Sequence, residues 1–203
     1  MLSRGFLGRK LPPEIAERIP PGQYLEQGFP VLTAGPTFHV PLDQWKFTLK
    51  IGPRPVKTWT WDEFNALPQT TMAVDIHCVT KWTKLDTEWE GVLIDDILSD
   101  VGVEAPTDYT LAGSFDGYST NVPWEDLTDG KAMVALRCDG DEIEAKHGGP
   151  ARLFVPHLYF WKSAKWVSTL QFTTRDEPGF WENRGYHMYG DPWREQRFWE
   201  GRP

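Results

Sequence analysis

Residues 70–82 read TTMAVDIHCVTKW. Thr70 to Cys78 has the β-branched and apolar content of a strand. It ends on a histidine followed by a cysteine. With His77 before it and Lys81 beyond it, Cys78 sits among potential positive charge. Such charge lowers a thiol pKa and favours the thiolate, the form that binds metals. A thiolate is a soft ligand and suits metals with an affinity for sulfur. Taken alone, the segment reads first as a buried, inert thiol, because unpaired cysteines are among the most buried residue types.

Working outward, Trp45 to Ile51 (WKFTLKI) alternates apolar and polar residues, the pattern of a half-buried strand. Thr60 and Glu63 form a capping-box pair ahead of a short helix that ends near Leu67-Pro68. Val92 to Val101 (VLIDDILSDV) has helical spacing and stops at Gly102. Further strands are predicted at 109–115, 118–122, 132–137, 152–155 and 166–174, with a turn at Asp139-Gly140-Asp141. Short strands with a few short helices predict an α+β fold of mixed sheets.

The rest of the chain divides by composition. Residues 1–40 read as an irregular leader punctuated by Pro12-Pro13, Pro20-Pro21-Gly22 and Gly35-Pro36, with only Pro13 to Ile19 briefly helical. The leader is expected to wrap the main body, 41–175, anchored by burial of Phe29, Val31, Leu32 and Phe38. Residues 176–203 form an aromatic-rich tail of the same single domain. Its Phe180, Trp181, Tyr186, Trp193, Phe198 and Trp199 would be costly to leave in water.

The chain has 203 residues, 40% of them hydrophobic, which suffices for a sizeable core. The net charge of −8 and the lack of a dense Lys/Arg run argue against nucleic-acid binding. No apolar stretch nears the roughly 20 residues of a membrane helix. The first residues, MLSRGFLGRK, show neither an apolar signal core nor paired arginines, so the sequence reads as cytoplasmic, with a periplasmic location left open. Two cysteines are too few for a disulfide scaffold; Cys138, at a strand end, reads as structural.

Two distant segments add chemistry. In Lys146-His147-Gly148-Gly149-Pro150-Ala151-Arg152, glycines let backbone N–H groups approach a ligand, and Arg152 can fork onto a phosphate or oxyanion. A plain hairpin with a surface arginine is the competing reading. In Trp161-Lys162-Ser163-Ala164-Lys165-Trp166, two lysines and a serine between aromatics make an anion cradle, or a solvated strand start. Together with a thiolate, they are what a phosphorylated, sulfur-coordinated metal cofactor needs.

In these segments the chain resembles the molybdopterin-binding domain of the sulfite-oxidase family. It is most similar to the small bacterial branch that resembles the catalytic subunit of protein-methionine-sulfoxide reductase. The resemblance runs from about Phe29 to Thr174. It is carried by His77-Cys78-Val79-x-x-Trp82 with Trp89-x-Gly91-Val92, and by Gly148-Gly149-Pro150-x-Arg152-Leu153-x-Val155-Pro156 with Lys162-Ser163-Ala164-Lys165-Trp166.

The resemblance implies the sulfite-oxidase-type molybdopterin-binding fold, a molybdenum-molybdopterin cofactor and oxygen-atom transfer coupled to two-electron redox on a sulfite- or sulfoxide-like small molecule. It makes Cys78 the protein's ligand to the metal and places Cys78 and Arg152 in catalysis. Phe38, His39, Gly113, Ser114, His147, Arg152, Ser163, Ala164 and Lys165 would contact the cofactor. The chain is too short for the family's immunoglobulin-like or haem domains, so electrons are expected to pass through a separate donor or acceptor. The oligomeric state stays open. Candidate substrate arginines beyond Arg152 are Arg137, Arg175 and Arg184. The tail 179–187 is a candidate lid that brings Tyr186 or His187 to the substrate. Two other readings compete: a non-catalytic binding module that kept the fold, and a zinc protein using His77, Cys78, Cys138 and His147.

Overall fold

Alternation along the strands builds two sheets. The computed structural model describes residues 11–199. The leader's first ten residues and the tail's last four lie outside that range. In chain order the elements are α1 (Pro13–Ala16), β1 (Tyr24–Leu25), β2 (Lys46–Ile51), β3 (Arg54–Thr60), α2 (Trp61–Asn65), β4 (Thr70–His77), β5 (Trp82–Leu93) and α3 (Ile94–Val101). They continue with β6 (Tyr109–Ser114), β7 (Ser119–Pro123), β8 (Met133–Cys138), β9 (Asp141–Glu142), β10 (Arg152–Phe154) and β11 (Val167–Thr173). One sheet has the order β3-β2-β11-β6-β7, with β11 parallel to β2. The other has the order β1-β5-β8-β10, with β4 added to β5 and β9 to β8.

In the second sheet, β10 and the first four residues of β8 are buried on both faces. Val134, Leu136 and Leu153 pack into a core with Trp45, Phe47, Leu49, Trp59 and Phe64 of the first sheet and α2. Met133, Ala135 and Phe154, one position out of phase, face the opposite side with Ile76, Cys78, Trp82, Trp89 and Phe160. A run such as Met133-Val134-Ala135-Leu136 is therefore fully apolar rather than alternating. The smaller core, behind the sheet, is where the candidate chemistry gathers.

Several sequence expectations need correction. Val92–Val101 is not one helix. β5 runs twelve residues to Leu93 before α3 begins at Ile94. Val92 buries its side chain as a strand residue would, and pairing with Val134 outweighs the local helical period. β3 follows β2 as an unforeseen hairpin strand, with Pro55 at the sheet edge, where a missing N–H costs little. The capping box forms as read: Thr60 Oγ1 accepts from the Glu63 N–H, and Glu63 Oε2 accepts from the Thr60 N–H at 2.8 Å. Of the leader anchors, Phe29 alone is half-buried, whereas Val31, Leu32 and Phe38 are 40–48% exposed.

Gly91 sits where β5 crosses β8. A Cβ there would overlap the Val134 carbonyl oxygen and come within 2.7 Å of Ala135 Cα, both rigid backbone. Gly91→Ala is expected to destabilise the protein by about 1–3 kcal/mol, as overpacking does. A thermal melt of the variant checks this.

Candidate functional site

Cys78 reaches the site because β4 ends there. It lies on the Ile76 face, inside the smaller core. His77 turns to the other side, where Nδ1 bonds Thr83 Oγ1 at 3.0 Å and the ring meets Trp193 edge-on at 6.2 Å. The turn after Cys78 closes on itself. Lys81 N–H donates to Cys78 O (3.0 Å), Cys78 N–H donates to Trp82 O (2.9 Å), and Lys81 has φ 77°.

The fold does not draw the positive setting of Cys78 from His77 and Lys81, as the sequence suggested. Burial pushes His77 down to about 4, so it is uncharged at neutral pH, and Lys81 points to solvent. Burial pushes the Cys78 thiol up, opposed by the Thr80 hydroxyl, which donates to Sγ at 3.1 Å, and by the charge of Arg197. Without a metal the group is a neutral thiol, and coordination is what would deprotonate it.

Opposite Cys78, two segments zip together. Leu153 N–H donates to Ala164 O (2.9 Å), Trp166 N–H to Gly148 O (3.0 Å) and Val167 N–H to Ala151 O (3.1 Å). Gly148 has φ 105°, and a Cβ there would lie 2.9 Å from Lys165 Cα, Cβ and Cγ. Glycine is therefore required for the close approach.

Arg152 falls on the Phe154 face of β10, 1% exposed, with its guanidinium 4.0 Å from the Phe160 ring. Nη1 donates to His147 O (2.7 Å) and Nη2 to Ser163 O (2.6 Å). Its Nε is buried with no partner among the described residues. It is a strut between the two segments rather than an open fork. Burial lowers Arg152 to about 9 and Lys165 to about 7, and the Arg152 charge adds to the second shift. His147 is lowered to about 4, by burial first and then by Lys165, Arg152 and Lys146. Its ring stacks on Phe29 at 4.0 Å.

These groups share one cavity of about 280 Å³, near the lower end of the ~300–1,000 Å³ usual for ligand sites. Cys78, His147, Arg152, Ser163, Ala164 and Lys165 all line it. Phe38, His39, Gly113 and Ser114 do not. Phe38 rests 6.3 Å from the Trp166 ring, and His39 is exposed. Gly113 is held in β6 against Thr169, and Ser114 Oγ is buried without a partner among the described residues. The turn just after them reaches the cavity instead, through Asp116 and Tyr118.

Lys162 corrects the anion-cradle reading. It is fully buried and paired with Glu182 at 2.6 Å, and it also donates to Asn121 Oδ1 (2.6 Å) and Asn121 O (2.9 Å). The segment ahead of β11 carries Lys165 to the cavity and, from its 3-10 turn 160–162, turns Lys162 to the tail. The tail in turn contributes Trp181 and Tyr186 to the cavity wall; His187 lies outside the lining and accepts from the Tyr189 N–H at 3.0 Å.

Arg137 is exposed near Glu90, Arg175 is exposed, and Arg184 lies over Phe180 at 3.6 Å, all away from the lining. Sequence reasoning missed Tyr118, Phe160 and Trp161 as lining, since aromatic residues in turns, here the β6–β7 turn and the 3-10 turn 160–162, carry no local mark of which cavity they face. Among the described residues no three of His, Cys, Asp and Glu converge on a possible metal position, which removes the support for the zinc set. Among them, too, no helix is long and apolar enough to cross a membrane.

The site fits a sulfur-ligated, anionic cofactor on its own chemistry. Around a single cavity it offers one thiol, the buried Arg152 guanidinium with its Nε unpartnered among the described residues, and the half-buried Lys165 amine. Burying cations together is unfavourable until an anion joins them, and charge-assisted bonds then gain strength from the low dielectric.

Comparisons with known proteins agree with the fold. The pattern of the oxidoreductase molybdopterin binding domain matches residues 34–181. The chain is 37% identical over 194 residues to the uncharacterized oxidoreductase YuiH of Bacillus subtilis, covering 95% of this chain and 98% of that protein. It is 30% identical over 132 residues to a putative protein-methionine-sulfoxide reductase subunit, YedZ1, of Azospira oryzae, covering 65% of this chain and 50% of that one. The crystal structure of the sulfane dehydrogenase SoxCD from Paracoccus pantotrophus superposes with a TM-score of 0.61 at 19% identity, over 86% of this chain and 55% of that chain. That last likeness is one of fold.

Proposed function

The chain belongs to the oxidoreductase molybdopterin-binding domain family, and from that premise we propose that it is a molybdenum-cofactor oxidoreductase acting on a sulfur-centred small molecule. The observation that carries the reading is the convergence of the Cys78 thiol with Arg152 and Lys165 on one cavity. Cys78 would be the protein's ligand to the metal. Lys165, the Arg152 strut and the Ser163-Ala164 backbone would hold the pterin and its phosphate, with His147 stacked beside them. When bound, the group supplies oxygen-atom transfer coupled to two-electron redox. A separate carrier would supply or accept the electrons.

This chain's residues orient the ligand thiol, balance the anionic charge and exclude water with aromatic walls. Val79, Trp161, Trp181 and Tyr186 line the same cavity as Cys78, with Thr80 and Asp116 among its polar lining. None of the three arginines expected for substrate lines it. A neutral sulfoxide flanked by apolar groups suits that wall better than a sulfite dianion, in keeping with the name borne by the Azospira relative.

Molybdenum and pterin assays on protein made in a cofactor-producing host test the reading, followed by turnover of sulfite and of sulfoxides with artificial carriers. About one molybdenum per chain is expected; none would sink it.

A second expectation follows from Lys165. Its amine, held near pH 7 by burial, is mostly neutral above that pH. An anion favours the charged form, so binding takes up a proton and weakens as pH rises through 7. Calorimetric titration of cofactor-free protein with inorganic sulfate, an anion that does not itself titrate near neutrality, should show this proton uptake, and Lys165→Met should remove most of it.

A further inference from the structure

We propose that Arg197 is a positioning residue for Cys78: reaching back from the tail, it clamps the turn 78–82 so that the thiol stays aimed into the cavity. The inference rests on the reading of Cys78 as metal ligand. The turn's own hydrogen bonds use the Cys78 N–H, the Cys78 carbonyl and the Lys81 N–H, which leaves the Val79 carbonyl free. Arg197 Nη1 fills that vacancy, donating to Val79 O at 2.6 Å across 118 positions of sequence. The guanidinium lies 5.0 Å from the centre of the Tyr159 ring, which fixes its direction. From the leader side, Gln23 Nε2 donates to Cys78 O at 3.2 Å, and Gln23 Oε1 accepts from Thr83 Oγ1 at 3.2 Å. Both carbonyls nearest the thiol are thus held by side chains from distant segments.

The guanidinium is not placed as a mere tail anchor. Its Nη2 is buried with no hydrogen-bond partner among the described residues. An unpartnered charged donor is unfavourable, and a neutral side chain of similar bulk would anchor the tail without that penalty. The gain lies at Val79. The backbone that carries Arg197 is tied to the cavity wall by main-chain bonds that a side-chain substitution leaves in place. His187 N–H donates to Arg197 O (3.2 Å), Trp199 N–H donates to Gly185 O (3.1 Å), and Tyr186 bridges Phe198. This short ribbon presents Tyr186 to the cavity and Arg197 to the ligand turn.

The test compares Arg197→Gln and Arg197→Lys with Arg184→Gln, a tail arginine whose side chain donates to Phe180 O at 2.8 Å and lies over the Phe180 ring. Two quantities are read: amide hydrogen exchange across 78–82, and molybdenum retained per chain. In R197Q, exchange in 78–82 should rise severalfold while peptides from 179–190 stay unchanged. Metal retention should fall on the order of 10-fold, as when an outer partner of a metal ligand is lost. R197K, which keeps a charged donor, should restore part of both, and R184Q should move neither.

Unchanged exchange across 78–82 in R197Q overturns the clamp. So does a rise spread equally over the tail, because that reports a detached tail. If the unaltered protein holds no molybdenum but R197Q loosens the turn alone, the clamp stands and the cofactor reading falls.

Discussion

Cys78→Ser is expected to cut turnover and molybdenum retention by more than about 100-fold, beyond the ~10–100-fold usual for losing an outer-shell partner, with the fold intact. A serine hydroxyl is a hard oxygen donor that stays protonated at neutral pH, whereas a metal-bound cysteine gives up its proton and offers a soft, polarisable sulfur. The structural cost is small, about 1 kcal/mol as for an ordinary substitution. The side chain is 6% exposed, and its polar contact, the Thr80 hydroxyl, can rebond to an oxygen. Metal content, turnover and a thermal melt on one preparation decide the matter. Turnover within a few fold of the unaltered protein would remove Cys78 from the site.

The second large effect belongs to stability. Lys162→Met leaves Glu182 as a fully buried carboxylate deprived of its counter-ion. It retains only the neutral donors Trp161 Nε1 at 2.8 Å and Thr120 Oγ1 at 3.0 Å. Removing one partner of a buried pair costs about 3–5 kcal/mol, which lowers Tm on the order of 10 °C in a chain of this size. The double variant Lys162→Met, Glu182→Gln removes both charges and should recover much of the loss. Calorimetry of the single and double variants checks both statements. A single variant that melts within about 1 kcal/mol of the unaltered protein would show that water or rearrangement relieves the charge. Because the same pair fixes the segment bearing Trp181 and Tyr186, the single variant should also loosen the cavity wall.

Where local pattern and tertiary demand agreed, the sequence could be read directly. β2 showed its alternation because one face meets the aromatic core and the other meets solvent or a neighbouring strand. The Thr60 capping box is a local bond set and formed as its spacing implied. β5 was hidden because Val92 and Leu93 match a helical period as well as a strand, and only pairing with β8 decides between them. Lys162 and Lys165 look alike in the sequence. Their fates differ because the 3-10 turn 160–162 aims the first toward Glu182, twenty positions away, while the link into β11 aims the second toward the cavity.

By itself the sequence determined the family, the α+β class and the three segments that supply the thiol, the Gly-Gly-Pro-x-Arg turn and the second lysine. Those are matters of residue type and spacing within short stretches, and short stretches keep their meaning without the fold. The tertiary structure alone decided how Cys78 is presented: in a buried setting that raises the thiol, beside an uncharged His77, with its turn held by Gln23 and Arg197. The physical reason is that burial and charge are sums over everything within a few ångströms. At Cys78 and Val79 that neighbourhood is assembled from residues 55 and 118 positions from their respective contacts, which no local pattern encodes.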